Sequence, residues 1–250
     1  QAGIVEFFTF FKIFFPSVIN YVIPAAIMYF FIPKEKPTVS SEKVYIKRGG
    51  KVIIFLGLLT IFSAVNFHNI LHLPPFLGMM FGLGLLGIFS YYLKITHDPK
   101  VEENKFDFFK KIAKAEWDTL LFFFGVILSV GGLGFIGYLA LVSEFLYDGL
   151  GPTIANSIVG VLSAIVDNIP VMFAVITMRP EMSIDQWLLV TLTTGVGGSL
   201  LSIGSAAGVA LMGQARGYYT FFGHLKWTPV IFLGYVASIY LHVVLAGLSF

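Results

Sequence analysis

Long apolar runs alternate with short charged stretches along the chain, and the apolar runs set the elements. Ile4 to Ile32 is the first, long enough to cross a hydrocarbon core of about 30 Å with tilt, although Glu6, Lys12, Pro16, Asn20 and Pro24 interrupt it. Its two prolines predict a kinked helix. A polar, basic loop from Pro33 to Lys51 follows. Val52 to Phe67 and Phe76 to Leu93 then read as two further spans, joined so tightly around His68, His72, Pro74 and Pro75 that they are predicted to be antiparallel neighbours. Between Thr96 and Ala115, Val101, Phe106, Phe108, Phe109 and Ile112 are interleaved with Lys105, Lys110, Lys111 and Lys114, the pattern of an amphipathic helix lying in the membrane interface. Glu116, Trp117 and Asp118 lead into Thr119 to Val142, a Phe-rich span whose Gly125, Gly131, Gly132 and Gly134 are expected to allow close helix packing.

The following third departs from this pattern. Pro152 opens a helical stretch, Thr153 to Val166, that stops at Asp167-Asn168; a second stretch, Ile169 to Met178, carries Pro170 in its first turn, where proline is tolerated. At 1.5 Å per residue the arms rise about 20 Å and about 15 Å, too little to cross. The predicted element is a re-entrant hairpin at 152–178 with its polar tip at mid-membrane depth, an arrangement lipid forbids unless protein or water surrounds it. Trp187 to Ser202 reads as a helix that Ile203 to Gly208 interrupts before Val209 to Met212 resume, a broken helix over 187–213 with free backbone groups at the break. Gly213 to Lys226 is a polar loop, and Trp227 to Leu248 is the last span.

Composition agrees with this reading: 57% of the 250 residues are hydrophobic, 27 are Phe and only 12% are charged, about half the share of a soluble domain. The fold class expected is an all-α polytopic membrane protein, in the order transmembrane helix 1–32, loop 33–51, helices 52–95, interfacial helix 96–118 and a final region 119–250 that ends in the span 227–248. A net charge of +2, confined to short loops, excludes a nucleic-acid footprint, and the absence of cysteine excludes disulfides, thiolate metal sites and a cysteine nucleophile. The loops at 33–51, 94–118 and 213–226 hold six, six and two Lys or Arg, while the opposite segments hold only Arg179. That bias makes the basic loops cytoplasmic and, if the hairpin enters and leaves on one side, puts the C-terminus outside. The first residue is Gln1 and no signal peptide is visible, so the chain is expected to be part of a longer one.

Of 14 acidic residues only Asp167 falls inside an otherwise apolar region. An ionised carboxylate there costs several kcal/mol unless it is paired, hydrated or bound to a cation, which makes Asp167 a functional candidate; capping the second hairpin arm is the structural alternative, and the two roles are compatible. Asn168 offers a carbonyl ligand and amide donors, or simply a good turn residue. Ser202 and Ser205 flank the helix break with Gly204 and Gly208, and their hydroxyls together with unwound carbonyls are hard oxygen ligands suited to Na⁺; small-residue packing is the plainer reading. Thr193 and Thr194 read as packing residues. Asp118 reads, from the residues alone, as a helix cap, and Glu116 as solvated. His68 and His72 have metal-pair spacing but no third ligand nearby and read as a wet interfacial pair. His224 and His242 are isolated and receive no role.

The segment Ser163-Ala164-Ile165-Val166-Asp167-Asn168-Ile169-Pro170-Val171-Met172 and the run from Gly197 to Gly213, Gly-Gly-Ser-Leu-Leu-Ser-Ile-Gly-Ser-Ala-Ala-Gly-Val-Ala-Leu-Met-Gly, closely resemble the NhaD-type sodium/proton antiporters of the ion transporter superfamily. The likeness continues through Gln214 to Pro229 and back through Glu116 to Leu133. It implies a fold of two inverted-topology repeats, each with a re-entrant hairpin and a broken helix, of which this chain holds the second repeat and the end of the first (1–32). It implies exchange of cytoplasmic Na⁺ or Li⁺ for external H⁺, with Asp167, Asn168, Ser202 and Ser205 as the Na⁺ site. It also makes Asp118, in the family's Glu-Trp-Asp stretch, a cation-pathway residue rather than a cap. Helices 52–95 become scaffold and 119–250 the transport region. No cofactor is implied beyond the transported ions. The partners expected are the lipid bilayer, Na⁺, Li⁺, H⁺, the missing N-terminal repeat and, in a homodimer, a second copy; the setting is a bacterial inner membrane.

Other readings stand beside this one: besides a structural or assembly subunit that a partner or second copy would complete, a carrier of another substrate and an enzyme. An anion or arsenite carrier of the same superfamily shares the fold, but a carboxylate at the hairpin tip would repel an anion. An intramembrane hydrolase using Ser205 or Ser199 lacks a Gly-x-Ser-x-Gly elbow and a histidine close in sequence, so the chain is not expected to be an enzyme.

Overall fold

The computed structural model describes residues 4–32, 46, 48–96, 108–113 and 117–249, without the side chains of Phe7, Asp118, Thr119 and Ala206. Most of the predicted loop at 33–51 and, of the predicted interfacial helix at 96–118, residues 97–107 and 114–116 lie outside the described residues. Among the described residues the helices are, in order, α1 (Phe14–Tyr29, continuing a 3₁₀ turn Phe7–Ile13), α2 (Gly50–Asn69), α3 (Pro75–Ile95), α4 (Phe108–Ala113), α5 (Trp117–Phe135), α6 (Tyr138–Ser143, continued by a π turn Glu144–Asp148), α7 (Pro152–Leu162), α8 (Asn168–Met178), α9 (Ile184–Gly197), α10 (Ala206–Gln214), α11 (Phe221–Leu225) and α12 (Thr228–Ala246). Four described helical stretches are long and apolar enough to cross a membrane: Phe8–Tyr29, Gly50–Asn69, Pro75–Ile95 and Thr228–Ala246. The chain divides into two compact units, residues 36–117 and residues 1–35 with 118–250.

In the first of these units α2 and α3 form a helical hairpin. Arg48 Nη1 donates to the Thr96 carbonyl at 2.6 Å, which ties the start of α2 to the end of α3 and makes the pair antiparallel. Small residues set the spacing: a Cβ on Gly78 would strike the Ala64 backbone, and one on Gly82 the Thr60 side chain. Ser63 Oγ donates across the seam to the Gly78 carbonyl at 3.2 Å, a membrane-type contact in which a hydroxyl bonds a neighbouring helix where the backbones come close. The outward faces, among them Phe55, Phe62 and Met80, are exposed and apolar. His68 lies in the last turn of α2, and His72 sits in the connection with φ of 52°.

In the other unit α9 is central. Leu188, Leu189, Val190 and Thr193 have no exposed surface, because α7, α8, α12 and α1 all pack around this helix. The α1 helix contains Pro24 and lies against α12 at Gly234, where a Cβ would come within 2.7 Å of the Asn20 carbonyl. Lys12 reaches Asp185, at the start of α9, across 3.5 Å.

The span expected to run unbroken from Thr119 to Val142 bends instead by 84° between α5 and α6. Gly137 adopts φ of 88° at the corner, a left-handed conformation that side chains with a Cβ disfavour. The expected close packing also holds at only one of its four glycines: a Cβ on Gly134 would meet Thr177 Cγ2 at 2.8 Å, whereas Gly125, Gly131 and Gly132 face open space.

Candidate functional site

The short arms α7 and α8 have 11 residues each, a rise of about 16 Å. They end at a turn of Ser163 to Val166, tightened by bonds from Ala164 N to Val161 O and from Ile165 N to Leu162 O, both 3.0 Å. Asp167 leaves the turn in an extended conformation, with φ of −49° and ψ of 146°, and its carboxylate accepts from Asn168 N at 2.9 Å as the N-cap of α8. Pro170 occupies the first turn of α8, where its missing N–H costs nothing. Both Asp167 and Asn168 are half-buried.

The penultimate helix is interrupted as the glycines predicted, but the interruption starts at Gly198 rather than Ile203. The α9 helix stops at Gly197, and Gly198 to Ser205 form turns, with bonds from Leu200 N to Gly197 O at 3.0 Å and from Gly204 N to Leu201 O at 3.1 Å. Helix α10 starts afresh at Ala206, capped by Ser205, whose Oγ accepts from Gly208 N at 3.1 Å. Carbonyls past the end of α9 find side-chain donors: Thr228 Oγ1 donates to Leu200 O at 2.8 Å, and His224 Nε2 lies 3.0 Å from Ser199 O. Ser202 differs. It is 2% exposed, yet its hydroxyl has no hydrogen-bond partner, one of two such buried side-chain atoms among the described residues; the other is Asn20 Oδ1.

The hairpin tip rests on this break. A Cβ on Gly204 would lie 2.5 Å from the Ala164 carbonyl oxygen, and further up the arms a Cβ on Gly197 would strike the Gly160 carbonyl. Ser163 Oγ donates to Thr194 O at 2.9 Å. Asp167 follows Ala164 by three residues and Ser202 precedes Gly204 by two, so each lies within about 11 Å of chain from that contact. Two helix C-termini, of α7 and α9, and two N-termini, of α8 and α10, therefore converge here. The carbonyl ends favour a cation and the amide ends favour a carboxylate.

A buried chain of polar side chains braces the hairpin from behind. Tyr147 Oη donates to Asn156 Oδ1 at 3.1 Å, Asn156 Nδ2 to Gln186 Oε1 at 3.0 Å and to Gln186 O at 3.1 Å, Gln186 Nε2 to Thr153 Oγ1 at 2.7 Å, and Thr153 Oγ1 to Ser249 O at 2.6 Å. Thr193 Oγ1 donates to Asn156 O at 2.8 Å. Asn156 and Gln186 were not singled out from the sequence. The available signal was the polar stripe of Thr153, Asn156 and Gly160 on one face of α7, continued by Ser163 at its C-cap; Thr193, read only as a packing residue, belongs to the same brace, whereas the Thr194 hydroxyl bonds Val190 O within α9.

The side chain of Asp118, at the start of α5, lies outside the described residues, as does Glu116. His242 is buried, with Nε2 3.0 Å from Asp185 O. His224 Nδ1 lies 2.8 Å from the Tyr219 hydroxyl, whose pKa burial pushes above its ordinary 10.0. No three His, Asp or Glu side chains converge among the described residues, so the oxygens available at the tip and the break belong to one carboxylate, an amide, hydroxyls and carbonyls.

The family model CitMHS, citrate transporter, matches residues 1–197. The chain is 56% identical to a Na(+)/H(+) antiporter NhaD of Alkalimonas amylolytica over 97% of its own length and 54% of that protein's. It is 54% identical to a Na(+)/H(+) antiporter NhaD of Vibrio cholerae over its whole length and 57% of the relative. It is also 33% identical to sodium/proton antiporter 1 of Arabidopsis thaliana over 95% of the chain and 42% of that protein. It thus spans about half the length of the curated bacterial relatives it matches. No solved structure gives a significant match. A helical membrane architecture with a tip-on-break crossing, a family model covering most of the chain and relatives at this identity together make the chain a member of the CitMHS transporter family, of the NhaD type.

Proposed function

We propose that the protein to which this chain belongs exchanges cytoplasmic Na⁺ or Li⁺ for external H⁺ by alternating access. One observation carries the reading: the buried Ser202 hydroxyl has no partner where the hairpin tip meets the helix break. An unsatisfied buried hydroxyl costs about 1–3 kcal/mol, which a coordinated cation would offset. The names of the relatives supply the ion. Asp167, Asn168, Ser202 and Ser205 form the Na⁺ site, and Asp118 lies on the cation pathway. Asp167 holds either a proton or, with the serines, the cation, because a bound cation favours the carboxylate over the protonated acid. Competition for one site opened to each side in turn is sufficient for antiport. Any net charge moved couples the cycle to voltage at about 2.3 kcal/mol per charge per 100 mV.

In this reading residues 1–32 close the first of two inverted repeats, 52–95 are scaffold and 119–250 move ions. The basic loops face the cytoplasm of a bacterial inner membrane, the C-terminus lies outside, and a homodimer is allowed. The cycle needs no cofactor and no enzyme chemistry. Hydrolysis is disfavoured because Ser199 Oγ donates to Val196 O at 2.6 Å and Ser205 Oγ caps Gly208 N, so neither hydroxyl is paired with a histidine. A citrate or other anion carrier is disfavoured by the carboxylate at the hairpin tip.

Everted vesicles containing the intact protein and a pH-sensitive dye test the proposal. Adding Na⁺ or Li⁺ should dequench the dye, and Asp167→Asn should abolish the response at unchanged protein abundance. Unchanged exchange by that variant would remove the site.

A further inference from the structure

The Ser199 carbonyl lies just past the end of α9, where no amide of a following helical turn can reach it. It is held by a side chain 25 residues further along the chain, beyond α10: His224 Nε2, at 3.0 Å. His224 sits near the end of α11, a short helix fixed at its start by Thr220 Oγ1 accepting from Gly223 N at 3.1 Å. The ring's other nitrogen, Nδ1, is 2.8 Å from the Tyr219 hydroxyl, and the two rings meet edge to face at 80°. A phenol is protonated at physiological pH and donates to Nδ1, which leaves the ring proton on Nε2, facing the carbonyl. The result is a directed relay from Tyr219 O–H to His224 Nδ1, and from His224 Nε2–H to Ser199 O.

We infer that His224 is a positioning residue for cation binding: through the Ser199 carbonyl it holds the helix break in the shape that presents Ser202 and Ser205. The inference rests on the exchange reading above. Ser199 is three residues before Ser202, and two successive carbonyls of the break are pinned side by side, Ser199 by His224 and Leu200 by Thr228. One pin, His224, comes from the segment between α10 and α12 and the other, Thr228, is the first residue of α12, so through His224 the cytoplasmic loop of the proposed topology acts directly on the break. A protonated imidazole keeps its Nε2–H. The required feature is therefore a donor at the Nε2 position, and the charge of the ring is immaterial.

The test uses the intact protein in everted vesicles, with half-saturating Na⁺ concentration and maximal rate measured separately. His224→Ala should raise the half-saturating concentration about threefold to tenfold, the worth of one net hydrogen bond, with a smaller change in maximal rate. Gln carries an amide nitrogen at about the reach of Nε2, so His224→Gln should return the value to within about twofold with an unaltered pH profile, and His224→Asn, one bond shorter, should behave like Ala. Tyr219→Phe, which leaves the ring in place but frees its tautomer, should give a smaller rise in the same direction. Hydrogen–deuterium exchange over residues 198–205 supplies a readout that does not need transport: it should quicken in the Ala variant and recover in the Gln variant. Equal affinity in the Ala variant and the unsubstituted protein, equal behaviour of Ala and Gln, or unchanged protection over 198–205 would overturn the inference. A shifted pH profile in the Gln variant would also overturn it, in favour of a titrating sensor. Failure of the exchange reading looks different: the unsubstituted protein itself gives no Na⁺ response, while protection over 198–205 still reports on His224.

Discussion

Gly204→Ala probes the contact on which the site depends. The added Cβ would lie 2.5 Å from the Ala164 oxygen and 2.8 Å from both Ala164 C and Cα, all backbone atoms that cannot rotate away. Ordinary contact begins at 3.4 Å, so the hairpin tip or the break must retreat by about 0.9 Å. Overpacking of this kind costs about 1–3 kcal/mol, and a cation site assembled from both sides of the contact loses affinity by about fivefold to 150-fold if the strain falls on the occupied state. Gly195→Ala is the control, because a Cβ there meets nothing within 4 Å and a helix interior gains from the exchange. Dye dequenching in vesicles over a range of Na⁺ concentrations, with membrane abundance measured alongside, separates the two. If Gly204→Ala retained the affinity of the Gly195→Ala control, tip and break would not form one site.

The remaining predictions concern single groups. Ser202→Ala removes a hydroxyl that has no partner in the protein, so thermal stability should hold or rise by about 1 kcal/mol while Na⁺ affinity falls; a loss of stability at unchanged affinity would contradict the assignment. Asn156→Ala should lower stability by about 2–4 kcal/mol, because Tyr147 and Gln186 lose buried partners at once; melting of the detergent-solubilised protein measures it, and a loss under 1 kcal/mol would show that the polar brace carries no weight. Tyr219 has a raised pKa from burial, so the stability it contributes is complete below its unfolded value near 10.0 and is lost as pH climbs through the higher folded value. Tyr219→Phe should therefore flatten part of the alkaline decline in melting temperature, and an unaltered decline would count against the burial of the phenol.

Much of the architecture is written in local chemistry. The helix α7 occupies Pro152–Leu162 and α8 occupies Asn168–Met178, and the stop between them is carried by Asp167, Asn168 and Pro170, whose turn and capping preferences act over a few residues. The interruption before α10 was readable from Ile203 to Gly208, but its start was placed five residues late. Leu200 and Leu201 prolong the apolar pattern past the point where Gly197 and Gly198 end the helix, and what makes that end tolerable is distant: side-chain donors from Thr228 and His224. The bend between α5 and α6 was missed because hydropathy is continuous from Phe135 to Val142 and records nothing of the left-handed Gly137. For the site, the charge of Asp167 in an apolar stretch was visible at once. The unpaired hydroxyl of Ser202 and the relay through His224 depend on which backbones meet, and a single chain read in order carries no record of that.

The central claim is that a proton and an alkali cation compete for one site built on Asp167 and Ser202. Proton release on Na⁺ binding tests it most directly: purified intact protein in detergent, in a weakly buffered solution with a pH indicator, titrated with NaCl against a choline chloride control. The account predicts release that saturates with Na⁺, that is absent in Asp167→Asn, and that needs higher Na⁺ as pH falls. Saturable Na⁺ binding with no proton released at any pH would contradict it.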